Sequence, residues 1–201
     1  MIPGGSHYFW TGANEGQWAT RVRLDGYLGK IISVEPGSEA FSKLEICSSG
    51  DESWEVLKLA LGSNDRTSIL YLSSNDGMSS SLKKPSRHLI DFPTVSFSGT
   101  EKVSITTLEA LLENVEENVM VKLDIQGFEL EALEGIGKAL EKVAAIEIEM
   151  TLRPMYQGEA TVGRILVAIE DMGFELFSIS EFGKGQNGEV SYFGAIATRD
   201  N

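Results

Sequence analysis

The stretch NVMVKLDIQGFELEALEG, Asn118–Gly135, decides the fold. Its first half alternates as a buried strand does. Met120, Lys122 and Asp124 share one face; Val121, Leu123 and Ile125 share the other. Gln126-Gly127 then breaks the strand, and Gly127 permits a tight turn straight into a helix. Glu129 falls in the first helical turn, where the macrodipole favours a negative charge. Lys122 and Asp124 are about 6.6 Å apart along such a strand. A dry interior tolerates them only if they are paired or face a crevice. A Lys–Asp or Lys–Glu pair that holds the turn together is the lesser reading, more so for Asp124 than for Lys122.

One strand further on, IEIEM (146–150) repeats the pattern, with Glu147 and Glu149 on one face and Ile146 and Ile148 on the other. Two strands thus bring carboxylates toward their C-terminal ends. Such a cluster suits a general base, contacts to substrate hydroxyls, or a divalent cation.

Working outward, strands and helices alternate. Tyr8, Phe9 and Trp10 open as a strand, ATRVRLDGYLGK is a short helix with a glycine turn, and KIISVEP is a strand stopped by Pro36. SEAFSKLEIC is a helix with Ala40, Phe41 and Leu44 on one stripe. EVLKLAL and SILYLSS read as strands around the turn GSNDRT. Residues 75–100, rich in Ser, Gly and Pro, read as one long loop of the kind that carries function. TTLEALLENV is a helix in which Thr106 and Glu109 have capping-box spacing. The helix after Gly127 runs to about Lys142. A last helix carries Val162, Ile165, Leu166, Ile169 and Met172, with Gly173 at its C-cap. FELFSIS and VSYFGAIAT are final strands. The order predicts an α/β fold: a mostly parallel central sheet with helices on both faces. Ligands of such folds bind at the carboxyl ends of the strands, near the topological switch point.

The chain has 201 residues, which suits a single domain, with a formal net charge of −13. That charge argues against a nucleic-acid backbone or an anionic membrane surface as the main partner. Cys47 is the lone cysteine, so no internal disulfide forms, and no apolar run reaches the length of a membrane span. A cytoplasmic protein is expected. His7 and His88 read as bystanders, His88 lying where a closing loop brings it to a substrate. Trp18, Phe128 and Tyr156 read as packing residues, Tyr156 also as a wall for an acceptor, and ENVEEN as a solvated face.

TGANEGQW (11–18) sits between the first strand and the first helix and lacks the Gly-x-Gly-x-x-Gly pattern of a dinucleotide site. Glu15 in this turn repels phosphate and suits a ligand with a positive centre. A tight βα turn without a ligand explains the glycines equally well. Glu35, ending the second strand, stands where α/β nucleotide folds bind ribose hydroxyls; a carboxylate accepts two hydrogen bonds from a vicinal diol.

GANEGQW, SVEP, SSSL, TLEALL, VKLDIQGFELEALEG and IEIEMTLRPMYQG, in this order, resemble the successive motifs of FkbM-family methyltransferases, from Gly12 to about Gly173. The resemblance implies a Rossmann-like class I fold with an antiparallel last strand, one methyltransferase domain over 1–201 with a shortened N-terminus, and S-adenosylmethionine as cofactor. Gly12, Ala13, Asn14 and Gly16 would line its methionine part, Glu35 with Pro36 its ribose, and Asn64 and Asp65 its adenine. Asp124, Lys122 and Glu149 would carry the chemistry: Asp124 as base or substrate contact, Lys122 as its charge partner. The reaction implied is methylation of a hydroxyl on a sugar, glycan or secondary metabolite. Mg²⁺ held by Asp124 with Glu147 or Glu149 is a lesser reading. The chain departs from the family's pattern at Trp10-Thr11, where an Asp is usual before the glycine loop, and it has no acidic residue in the last strand. A methyltransferase-fold binding module without turnover is the competing class. A nicotinamide-dependent oxidoreductase is disfavoured by the glycine pattern. The acceptor pocket is built from loops that carry no recognisable code, and the sequence is silent on oligomeric state.

Overall fold

The computed structural model describes residues 7–115, 118–185 and 188–199. Within ENVEEN, Glu116 and Glu117 lie outside the described residues. In chain order the elements are β1 (His7–Thr11), α1 (Gln17–Leu24), β2 (Lys30–Val34), α2 (Ser38–Ser48), β3 (Trp54–Leu57), β4 (Ala60–Leu61), β5 (Arg66–Ser73), α3 (His88–Asp91), β6 (Phe97–Thr106), α4 (Leu108–Leu111), β7 (Val119–Leu123), α5 (Glu129–Glu134), a 3-10 turn (Gly137–Lys142), β8 (Val143–Thr151), α6 (Val162–Asp171), β9 (Glu175–Lys184) and β10 (Val190–Thr198).

Seven strands form one sheet in the order β3-β2-β1-β7-β8-β10-β9. The first five in that row are parallel; β10 runs antiparallel to both β8 and β9. The chain leaves β1 toward β2 on one side and returns beside β1 at β7 on the other, so the switch point falls between β1 and β7.

The alternation of β7 works as the sequence requires. Val119, Val121 and Leu123 are buried in the larger core with Phe9, Ile32, Ile146 and Ile148, under Leu108, Ala132, Leu133, Ile165 and Ile169 of α4, α5 and α6. On the opposite face Trp10 and Ile31 pack with Ala19 of α1 and Leu44 of α2. Each fully buried aliphatic side chain contributes roughly 1.5–3 kcal/mol, so losing the alternation in β7 would strip several such contributions at once.

Four expectations are corrected. EVLKLAL is not one strand: β3 joins the large sheet, while β4 joins a second sheet of order β4-β6-β5. Residues 75–100 are not one loop, since α3 lies within them and β6 begins at Phe97 and pairs antiparallel with β5. The helix expected to reach Lys142 stops at Glu134; Gly137, at φ 47, opens the 3-10 turn instead. The expected capping box does not form, since Glu109 accepts from the Lys138 amide instead. Thr107 is the N-cap and accepts from the Ala110 amide, while Thr106 donates to Asp65.

Candidate active site

The switch point opens into a cavity of about 620 Å³. At one end the backbone shapes it. Gly12 has φ 70, and a Cβ on it would lie 1.7 Å from the Asp124 carbonyl oxygen. Only glycine lets the loop after β1 approach the loop after β7 this closely. The Gly12 and Ala13 amides both donate to the Val34 carbonyl, tying the glycine loop to the end of β2. Asn14, also left-handed at φ 47, donates its backbone N–H to Glu35 Oε2 at 2.9 Å. Glu35 Oε1 accepts from the Gly37 amide at 2.8 Å. Burial pushes the Glu35 carboxyl up to about 7, against the pull of these two amides. Each carboxylate oxygen keeps a further lone-pair site for a ligand hydroxyl. Leu59, Ala60, Leu61 and Leu70 supply an apolar wall nearby.

At the other end side chains shape the cavity. Register sets Trp10 beside Lys122 and Lys122 beside Glu147 across β1, β7 and β8. Lys122 Nζ lies 3.0 Å from Glu147 Oε1, 3.7 Å from Asp124 Oδ2 and 4.7 Å from the centre of the Trp10 ring. Burial alone would lower the Lys122 pKa; the charges of Asp124, Glu147 and Glu149 outweigh it and leave the pKa raised. Gln126 donates its amide to Asp124 Oδ1 and to Glu149 Oε2, each at 3.0 Å, and accepts from the Tyr156 hydroxyl at 2.9 Å. Burial, then the charges of Asp124 and Glu129, push the Glu149 carboxyl well above the ordinary range. Glu129 is buried and folds back to accept from the Ile125 and Gly127 amides, and burial raises it to about 8. Tyr156 is raised too, by burial first and then by Glu129, Glu159 and the other carboxylates around it.

The serine-rich segment folds over this end. The Tyr156 hydroxyl contacts the Ser79 carbonyl at 2.9 Å, and Ser81 Oγ donates to the Gln126 carbonyl at 2.6 Å. His88 lines the cavity with Phe92 and Val95. It is buried among Phe92, Phe97 and Tyr156, its Nδ1 has no hydrogen-bond partner, and burial lowers its pKa.

Of the residues expected at the site, Gly12, Ala13, Asn14, Glu35, Pro36, Lys122, Asp124 and Glu149 line the cavity. Gly16, Asn64 and Asp65 do not. Gly16 instead forms the left-handed N-cap of α1, and Asp65 accepts from Thr106. Glu15 does not face a positive ligand centre; it pairs with Lys43 at 2.6 Å, outside the cavity lining. Among the described residues no group of three or more His, Cys, Asp or Glu is arranged to hold a metal ion. Lys122 holds Glu147, and Gln126 bridges Asp124 and Glu149, where the Mg²⁺ reading put its ligands. Where the resemblance expects an Asp before the glycine loop, buried Thr11 donates to the Lys122 carbonyl at 3.0 Å and ties β1 to β7. Among the described residues no helix is long and apolar enough to cross a membrane.

The strand order, the antiparallel β10 and a cavity at the β1–β7 switch point define the class I methyltransferase fold. Solved structures agree. Aeropyrum pernix fibrillarin in complex with S-adenosyl-L-methionine superposes with a TM-score of 0.56 at 12% identity, covering 98% of this chain and 70% of that one. A TehB-like SAM-dependent methyltransferase from Corynebacterium glutamicum gives 0.51 at 10% identity, over 100% and 83% of the two chains. The Methyltransferase FkbM domain matches residues 11–176, so the chain belongs to the FkbM methyltransferase family, a family of S-adenosylmethionine-dependent enzymes. A curated relative, the 2-O-methyltransferase NoeI of Sinorhizobium fredii (strain NBRC 101917 / NGR234), is 24% identical over 190 residues, 89% of this chain and 75% of that protein.

Proposed function

We propose that this protein methylates a hydroxyl oxygen of a sugar, glycan or other small metabolite, using S-adenosylmethionine. The observation that carries the reading is the junction of a glycine-and-carboxylate pocket with a carboxylate cluster in one cavity. The chain's residues fit the cofactor. The loop at Gly12, with Ala13 and Asn14, is open to a methionine moiety; buried Glu35, with Pro36 beside it, has lone pairs for a ribose diol; the leucine wall suits an adenine. Bound there, S-adenosylmethionine supplies an electrophilic methyl on a sulfonium. Asp124, at the end of β7, accepts the hydroxyl proton or hydrogen-bonds the acceptor oxygen. Lys122 holds Asp124 in place and keeps charge balance with Glu147. The serine-rich segment and Tyr156 exclude water from the reacting end. The name of the NoeI relative supports oxygen as the methylated atom.

A binding module without turnover is the second reading, favoured by Thr11 standing where a carboxylate is expected. Methyl transfer from labelled S-adenosylmethionine to a panel of sugars and glycans separates the two. Label on a hydroxyl oxygen is expected; label only on nitrogen or carboxyl groups would overturn the hydroxyl assignment, and none on any acceptor despite cofactor binding would favour the binding module.

A further inference from the structure

Gln126 sits between two strand ends in an uncommon backbone conformation. Its φ is 55, a left-handed geometry that costs a residue with a side chain about 1 kcal/mol or more. The surroundings hold it there. Ser81 Oγ bonds its carbonyl, and Gly127 beside it leaves no room for a Cβ, which would meet Tyr156 at 2.9 Å. The side chain bridges three groups. Its nitrogen faces Asp124 Oδ1 and Glu149 Oε2, and its oxygen faces the Tyr156 hydroxyl. The Tyr156 hydroxyl hydrogen is shared between the Ser79 carbonyl and the Gln126 side-chain oxygen, and the Gln126 nitrogen bridges the two carboxylates. Each carboxylate oxygen is 3.0 Å from the same nitrogen, so the two are closer than twice that distance.

The charges around them do not balance. Lys122 faces Asp124, Glu147 and Glu149, and its shortest contact goes to Glu147. Glu159 from the segment after β8 adds negative charge nearby, Glu129 from the start of α5 adds more only once it ionises, and Tyr156 and, on β10, Tyr192 complete the wall. Burial first, and then the charge of Asp124 across the Gln126 amide, favour the protonated form of Glu149.

We propose that Gln126 is a positioning residue whose amide holds Asp124 and Glu149 together as a pair carrying one proton, which takes up a second when the acceptor hydroxyl is methylated. The inference rests on the methyl-transfer reading above. The acceptor oxygen forms the new C–O bond as the C–S bond breaks with its electron pair remaining on sulfur, and the hydroxyl proton passes to the pair. The resident proton sits on Glu149, the more deeply buried member; Asp124, more open to the cavity, is the member left to accept. The products are a methyl ether, S-adenosylhomocysteine and a protonated pair that returns its proton to solvent.

Carboxyl-carbon NMR titration of Asp- and Glu-labelled protein tests this without a known acceptor. Asp124→Asn and Glu149→Gln assign the two resonances. Glu149 is expected to titrate well above the ordinary carboxylate range. Gln126→Leu removes the shared donor and moves the Glu149 step to higher pH by about one unit. Gln126→Asn keeps a residue that tolerates the left-handed turn but is one methylene too short to bridge, and moves it the same way. Titration steps that stay in place in both variants would overturn the clamp. S-adenosylhomocysteine affinity is measured on the same samples. Binding together with Gln126-insensitive titration defeats the clamp alone; a coupled, Gln126-sensitive pair in a protein that binds no cofactor defeats the methyl-transfer reading on which the catalytic role depends.

Discussion

The β1–β2 end of the cavity and the β7–β8 end use different materials. At the first, backbone does the holding: Gly12 and Asn14 at positive φ, amides aimed at Val34 and Glu35, and a close approach that forbids any side chain. At the second, side chains do the holding: Lys122, Gln126, Tyr156 and four carboxylates in one hydrogen-bonded and charged network. Backbone shape tolerates no substitution but fixes a ligand with little charge. A side-chain network tolerates shape changes but is sensitive to protonation. The cofactor end should therefore fail by sterics and the reacting end by chemistry.

Gly12→Val gives the largest effect on that contrast. The added side chain collides with the Asp124 carbonyl at an unfavourable φ. Cofactor affinity should fall by about a hundredfold or more and stability by about 3 kcal/mol. Calorimetric titration and denaturant unfolding check both; unchanged affinity would separate the glycine loop from the cofactor. Asp124→Asn comes next and should act in the opposite way. Turnover on an accepted hydroxyl should drop about a hundredfold, with cofactor affinity within a few-fold; equal loss of both would merge the two ends into one site.

A smaller effect is a pH dependence of stability. Glu129 has a folded pKa of about 8, above its ordinary value of 4.5. The folded state thus binds this proton more tightly than the unfolded chain does. The resulting stability is full below about pH 4.5 and is lost as pH rises through about 8. Glu35, raised to about 7, adds the same sign. Unfolding free energies measured between pH 5 and 8 should fall, by up to about 1.4 kcal/mol per unit for each group. Glu129→Gln should flatten its share, since an amide oxygen still accepts from Ile125 and Gly127. The smallest effect is Asn64→Ala, which lies off the cavity lining; S-adenosylhomocysteine affinity should change less than about twofold.

The two ends were also unequally legible. Gly12, Glu35 and the β7 alternation are local patterns, each set by neighbours in the chain, and the structure brings Gly12, Glu35, Lys122, Asp124 and Glu149 to one cavity. The network at the reacting end joins residues far apart in sequence: Gln126 to Glu149, Tyr156 to Ser79, Ser81 to Gln126. No spacing rule links such pairs, so Gln126 passed as turn chemistry and Tyr156 chiefly as packing. The turn itself held one signal, a non-glycine residue before Gly127 where the chain must reverse. Glu15 misleads because its partner, Lys43, lies on α2, far along the chain from the glycine turn. β6 is hidden because half of its residues are exposed and Gly99 interrupts it, which leaves little apolar alternation to detect.

Calorimetric titration with S-adenosylmethionine and S-adenosylhomocysteine, on wild type, Gly12→Val and Asp124→Asn in parallel, tests the division of labour most directly. Wild type should bind both compounds one-to-one in the micromolar range, Asp124→Asn nearly as tightly, and Gly12→Val more weakly by about a hundredfold or more. A folded wild type that binds neither compound, or binding that survives Gly12→Val and disappears in Asp124→Asn, would contradict it.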